Sequence, residues 1–163
     1  ICNDLGADNI IIAGDVQQRE QLWSARRSVS PALIRQAPDK IGEDISVPCS
    51  AIPETIRLIK QLGKEYGLKV VLFGHAGDGN LHVNILFDKR EPDQLQKSEQ
   101  MISRVFETAL EMGGTISGEH GIGLLKKPYL SRALGEEAVE LQKKIKTVFD
   151  PLNILNPGKV FPE

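Results

Sequence analysis

Apolar residues recur along this chain with two periods, and the period switches from one segment to the next. Residues 9–13 (Asn-Ile-Ile-Ile-Ala) are an unbroken run rich in β-branched side chains ahead of Gly14-Asp15, which predicts a short buried strand. From about Gln17 to Gln36, Leu22, Ala25, Val29 and Leu33 fall at helical spacing. A strand is predicted over Glu43 to Val47. Pro53-Glu54 reads as a helix start, and Ile52, Ile56, Ile59, Leu62 and Tyr66 mark one face until Gly67. Leu68 to Gly74 and Leu81 to Phe87 then predict the arms of a hairpin. In the second arm Leu81, Val83, Ile85 and Phe87 alternate with His82, Asn84 and Leu86, which puts His82 opposite the core residues.

The second half is mostly helical in pattern. Pro92 to Met112 predicts an amphipathic helix with Leu95, Ile102, Val105, Ala109 and Met112 in register, closed by Gly113-Gly114. Thr115-Ile116-Ser117 runs into a glycine-dense stretch from Gly118 to Gly123. Lys126 to Leu134 predicts a short helix, and Glu136 to Phe149 another with Ala138, Leu141, Ile145 and Val148 turned inward. The tail from Asp150 to Lys159 contains Pro151 and Pro157 and must be irregular. Strands separated by long helices, with one hairpin, predict a single α+β domain: a ferredoxin-like antiparallel sheet with helices packed on one face.

Composition narrows the function classes. The 163 residues are 40% hydrophobic and 26% charged, as expected of an ordinary globular core. A net charge of -2 and a pI near 6.0, with scattered lysines and arginines, argue against nucleic acid as a partner. Cys2 and Cys49 fit neither a disulfide framework nor a zinc ribbon, and read as thiols of a reducing compartment. No apolar run approaches the roughly 20 residues needed to cross a bilayer, and no signal-peptide pattern opens the chain, so a cytoplasmic location is expected. The first residues, Ile1-Cys2-Asn3, lack an initiator methionine and hint at part of something longer.

All three histidines sit in the two glycine-rich stretches, His75-Ala76-Gly77-Asp78-Gly79-Asn80-Leu81-His82 and Gly118-Glu119-His120-Gly121. If Asp78-Gly79 is a two-residue hairpin loop, His75 faces His82 directly, with Cβ atoms about 5 Å apart. One cation can bridge that span. Glu119 supplies a third donor, and two histidines with one carboxylate form the donor set of catalytic sites with an open position, compatible with zinc, manganese or iron(II). The bland alternative is a set of structural histidines.

Neighbours in an extended segment point to opposite sides, so Glu119 and His120 can share a cavity only in a kinked loop. There His120 is a candidate general base. Gly118-x-x-Gly121-x-Gly123 reverses the dinucleotide fingerprint, and Asp78-Gly79-Asn80 lacks the later ligands of a calcium loop, so both are read as turn chemistry. Arg26 and Ser30 are four apart on the first predicted helix. Arg26 and Arg27 are either a solvated pair or a source of the bidentate clamp that suits a carboxylate.

Several stretches together resemble a known family: Trp23-Ser24-Ala25-Arg26-Arg27, Lys40 to Pro48, Gly74 to His82, Ser117 to Gly123 and Phe149 to Lys159. They are similar to the C-terminal domain of FAD-linked oxidases of the vanillyl-alcohol oxidase superfamily, and within it to glycolate oxidase catalytic subunits and to D-lactate and D-2-hydroxyglutarate dehydrogenases. The resemblance implies that His75, His82 and Glu119 hold a divalent metal and that His120 is the base. It also implies that Arg26, Ser30, Lys40 and Asn84 contact a small 2-hydroxy acid substrate, and that Asn156 lies near the flavin. The implied reaction is oxidation of the 2-hydroxyl with hydride transfer to FAD. Electrons would then pass to a quinone, an iron-sulfur subunit or an electron-transfer flavoprotein, with membrane association, if any, peripheral and through such partners. The flavin-binding domain is expected to be a further part of the same polypeptide, leaving this part inactive alone. A metal-dependent hydrolase and a non-catalytic module that keeps the fold are the competing classes.

Overall fold

The computed structural model describes residues 3–162, so Cys2 lies outside the described residues. The chain forms two compact units, Ile1–Gln36 and Ala37–Glu163.

In the first unit, helix α1 (Val16–Arg27) starts where Asp15, with extended backbone, accepts a hydrogen bond from the Gln18 amide at 2.8 Å. Gln18 reaches back to the Gly14 amide at 2.9 Å, so two otherwise orphaned donors at the helix start are satisfied. The single helix predicted from Gln17 to Gln36 is broken at Ser28, which caps α1. A short helix, α2 (Val29–Ala32), and one 3-10 turn follow. Pro31 explains the break, because it has no amide proton to return to the Arg27 carbonyl and its ring crowds that oxygen.

The strand predicted at residues 9–13 is absent, and Ile11 and Ile12 are exposed. β-Branched residues favour a strand only where a neighbouring ladder accepts them, and none does among the described residues.

The second unit contains strands β1 (Asp39–Ser46), β2 (Lys69–His75) and β3 (Asn80–Phe87) and helices α3 (Ile52–Tyr66), α4 (Pro92–Glu111), α5 (Leu130–Leu134) and α6 (Glu136–Phe149). The sheet is antiparallel throughout, in the order β1-β3-β2. That is the arrangement of the first three strands of a ferredoxin-like sheet. The place beside β1 where a fourth strand would lie holds a single bridge, in which Thr115 donates to Ser46 at 2.7 Å and Ser46 returns a bond at 3.2 Å. The packing excludes a side chain just before it, since a Cβ on Gly114 would fall 2.1 Å from the Ser46 carbonyl oxygen.

One face of the sheet packs on α3 and α4 around Ile45, Val83, Ile85, Ile59, Val105 and Phe106, as the alternating and helical patterns predict. Gly67 ends α3 in the left-handed conformation. Helix α6 forms over the predicted residues, but Val139 is its buried anchor, and the expected inward residues Leu141, Ile145 and Val148 are exposed. Periodicity reports that these residues share a stripe, and not that anything covers it. The tail after α6 is irregular as expected, with Asn153 and Asn156 at positive φ. Among the described residues, no helix is long and apolar enough to cross a membrane.

Candidate metal centre

The hairpin register differs from the two-residue loop predicted from Asp78-Gly79. Four residues connect the strands, so His75 pairs with Asn80 while His82 pairs with Phe73. Gly79 is committed elsewhere: its carbonyl accepts from the Val47 amide at 3.0 Å, and with φ +71° it has no room for a Cβ, which would meet the Val47 oxygen at 1.9 Å. The two histidines are therefore diagonal rather than opposite. A shift of two residues preserves the face, and the rings meet edge-on with centroids 5.4 Å apart.

The loop after the Thr115 bridge brings the third donor. Glu119 Oε1 lies 3.2 Å from His82 Nε2 and 3.9 Å from His75 Nε2, and the three donor atoms fall within 4.8 Å of one another. Ligands about 2.0 Å from a tetrahedral zinc stand roughly 3.3 Å apart, close to the His82–Glu119 separation and shorter than that between His75 and Glu119. His82, 12% exposed and packed on Phe73, has its pKa lowered by burial, against the pull of Glu119 and reinforced by His120 and His75. A neutral imidazole is the form that coordinates a metal.

What holds Glu119 in place is Asp44, which β1 sets directly opposite His82. Its Oδ2 accepts the backbone amides of Gly118 at 2.8 Å, His120 at 2.9 Å and Glu119 between them. Its Oδ1 is paired with the Lys126 ammonium, which also donates to the Asp44 carbonyl at 2.9 Å. Both side chains are buried, at 0% and 3% exposure. Burial opposes the Asp44 charge, yet the Lys126 ammonium and the Glu119 and His120 amides outweigh it and hold the carboxyl well below the usual carboxylate range. Neighbouring Glu43 is pushed up by burial, with Lys126 at 3.7 Å opposing.

His120 joins the cluster, its ring stacked on that of His82 with centroids 5.4 Å apart. A cavity of about 400 Å³ opens beside the donors, lined by Ser46, His75, Asp78, Asn80, Gly118 and Glu119. Gly118 admits the Asn80 side chain, since a Cβ there would fall 1.8 Å from Asn80 Nδ2.

The structure thus brings together His75, His82, Glu119 and His120. Asn84 lies on the same face of β3 but is buried, its amide nitrogen 3.4 Å from the Val71 carbonyl. Lys40 shares the face of β1 with Asp44, four residues and so about 13 Å away along the strand. Arg26 and Ser30 belong to the first unit and stand on either side of the helix break, both half-buried. Asn156 lies in the exposed tail. Sequence reading missed Asp44 and Lys126 as site residues. The available signal was an acid, Asp44, beside Ile45 within the strand predicted over Glu43 to Val47, where a buried charge without a partner would be costly.

The fold is an α+β domain with a cluster of two histidines and one carboxylate at the end of its sheet. The sequence matches the family "FAD linked oxidases, C-terminal domain" over residues 1–160, and the chain belongs to that family. It is 43% identical over 161 residues to the glycolate oxidase subunit GlcD of Bacillus subtilis (strain 168), covering 99% of this chain and 34% of that protein. It is 38% identical over 159 residues to a D-2-hydroxyglutarate dehydrogenase of Stutzerimonas stutzeri (strain A1501), covering 93% and 33%. With the mitochondrial D-lactate dehydrogenase [cytochrome] of Arabidopsis thaliana it shares 34% identity over 164 residues, covering 99% and 29%. The chain therefore spans about a third of the length of these relatives. Among solved structures, 4-ethylphenol oxidase from Gulosibacter chungangensis superposes with a TM-score of 0.59 at 18% identity, covering 94% of this chain and 32% of that one. That likeness concerns the fold.

Proposed function

We propose that this chain is the substrate- and metal-binding part of an FAD-dependent D-2-hydroxy acid dehydrogenase of the glycolate or D-lactate type. The observation that carries the reading is the convergence of His75 Nε2 and His82 Nε2 on Glu119 Oε1, with the third histidine, His120, beside them. His75, His82 and Glu119 would hold a zinc, manganese or iron(II) ion, and their separations fit one. When bound, the ion supplies Lewis acidity toward an α-hydroxy acid, and FAD, held mainly by the remainder of the polypeptide, supplies the electron sink.

The chain's own residues account for the rest. His120 takes the proton of the 2-hydroxyl, and the 400 Å³ cavity beside Glu119 is of a size for a small acid. Arg26, Ser30, Lys40 and Asn84 are the residues that the family resemblance assigns to the substrate carboxylate, and Asn156 the one it assigns to the flavin. The acceptor of the electrons would be a quinone, an iron-sulfur partner or an electron-transfer flavoprotein.

The test is an assay of the full-length, flavin-loaded protein with a dye acceptor against D-2-hydroxy acids, in parallel with ester and amide substrates. Dye reduction with glycolate or D-lactate, abolished by chelator and restored by metal, is the expected result. Hydrolysis without dye reduction would overturn it in favour of a metal-dependent hydrolase, the chemistry that the same donor set also permits.

A further inference from the structure

Helix α6 and the tail behind it are ordered by polar contacts and carry apolar side chains outward. Val139 is the buried residue of α6, so the stripe of Leu141, Ile145 and Val148 is left to solvent. Phe149, Leu152, Ile154 and Leu155 extend it at 59–81% exposure. A solvated loop has the opposite arrangement. This tail is also pinned at both ends. At its start the buried Asp150 carboxylate accepts the Ile154 amide at 2.9 Å and the Leu155 amide at 3.0 Å, and the Lys146 ammonium joins it to the Asn153 side chain at 3.0 Å. At its end the Val160 amide donates to the Gly123 carbonyl at 2.8 Å and Lys127 Nζ to the Gly158 carbonyl at 3.2 Å. Between the pins, Leu152, Ile154 and Leu155 project from a fixed backbone.

We propose that this surface is an internal interface of the full-length polypeptide: α6 and the tail dock on the larger part of the chain, the roughly two thirds of each relative that these residues do not match. The inference needs neither a metal ion nor hydroxy-acid chemistry. A monomer rarely exposes an apolar patch larger than a few hundred Å² unless something binds there. The chemistry is that of a permanent contact, because no residue from Pro151 to Gly158 is charged, and obligate interfaces are the more hydrophobic and charge-depleted ones. A partner that comes and goes is better served by charge, which steers encounter. Connectivity then selects the occupant. A segment of the same polypeptide is present at an effective concentration on the order of millimolar, which a second copy or a separate protein does not reach. The surface offers a socket as well as knobs: a cavity of about 290 Å³, lined by Ile116, Ile122, Leu130, Ala133 and Leu134, includes Gln142 of α6 in its wall, next to Leu141. Because Gly123 ends the glycine-dense stretch that carries Glu119, docking of the tail also fixes one end of that loop.

The test places the photoreactive residue p-benzoylphenylalanine at position 152 of the full-length protein, with the exposed position 100 on α4 as control. Irradiating an equal mixture of heavy-isotope-labelled and unlabelled protein, followed by peptide mass spectrometry, separates links within one polypeptide from links between two. Links from position 152 to peptides outside these 163 residues, within one polypeptide and severalfold above those from position 100, are expected. Links between labelled and unlabelled molecules would make the surface a contact between copies, and links to residues 1–36 would make the first unit its cover. Equal or absent yields at both positions would leave it facing water, and each of these three results overturns the proposal. A second measurement uses Ile154→Asp, which keeps every pin because Ile154 contributes only its amide. The full-length protein should then melt several degrees lower, whereas a side chain facing water tolerates such a change with little effect. An unchanged melt would refute the interface.

Discussion

His75 and His82 are held by a sheet, and Glu119 and His120 are held by a charge. The hairpin histidines sit on paired strands whose ladder hydrogen bonds fix them whether or not anything else is present. The loop pair has no ladder beyond the Thr115 bridge and depends on one buried carboxylate that gathers three amides. The difference shows how one site can combine a half held by strand pairing with a half gathered mainly on one buried carboxylate, with the Ser117 hydroxyl bracing the loop at Gly121. Substitutions at the support should therefore disable the second half while leaving the first intact.

The largest effect is expected from Lys126→Ala, which leaves Asp44 as an unpaired buried anion and should cost about 3–5 kcal/mol in urea-denaturation stability. Cross-strand NMR contacts between His82 and Phe73 should survive wherever the protein remains folded. If that substitution proved neutral, the loop would be held by something other than the ion pair. Next comes Gly118→Ala. The new methyl group collides with the Asn80 amide and displaces Glu119, so zinc affinity measured by titration calorimetry should drop about 10- to 100-fold, the range typical of disturbed supporting groups. An equal loss from Gly77→Ala, where a Cβ meets nothing within 4 Å, would erase the contrast between turn and loop.

The smallest effect concerns pH and lies away from the site. The Asp150 carboxyl is held below its usual range first by the Lys146 ammonium, with burial opposing and the Ile154 and Leu155 amides assisting. Because the folded value is depressed, the contribution to stability is present above the unfolded pKa of about 3.9 and disappears as pH falls through the folded value. The Ile154 and Leu155 amide resonances should move together in that acid window. In Asp150→Asn they should not.

Much of this was legible in the chain, for reasons tied to particular residues. Leu81 to Phe87 announced their strand and its two faces because alternation is a local property, and α3 and α4 followed from Ile59, Leu62, Val105 and Ala109 at helical spacing. The donors His75, His82 and Glu119 were legible as residue types in glycine-rich turns. Their register was not, because Gly79 is claimed by Val47, a contact between segments far apart in the chain. The role of Asp44 was hidden for the same reason, since its partners at residues 118–120 and 126 come from the other end of the unit. Ile10 to Ile12 and the Leu141, Ile145 and Val148 stripe show the converse: local pattern states what a segment is suited to, and only the remaining surroundings decide whether it is used.

The single rung between Ser46 and Thr115 has a consequence for chemistry. A full edge strand would have pleated on past Ser117 and sent two successive side chains to opposite sides of the sheet. By abandoning the ladder after one step, the backbone is free to bend, and the adjacent residues Glu119 and His120 can both face His82. In this domain the cluster of histidines and carboxylate gathers where regular pairing stops.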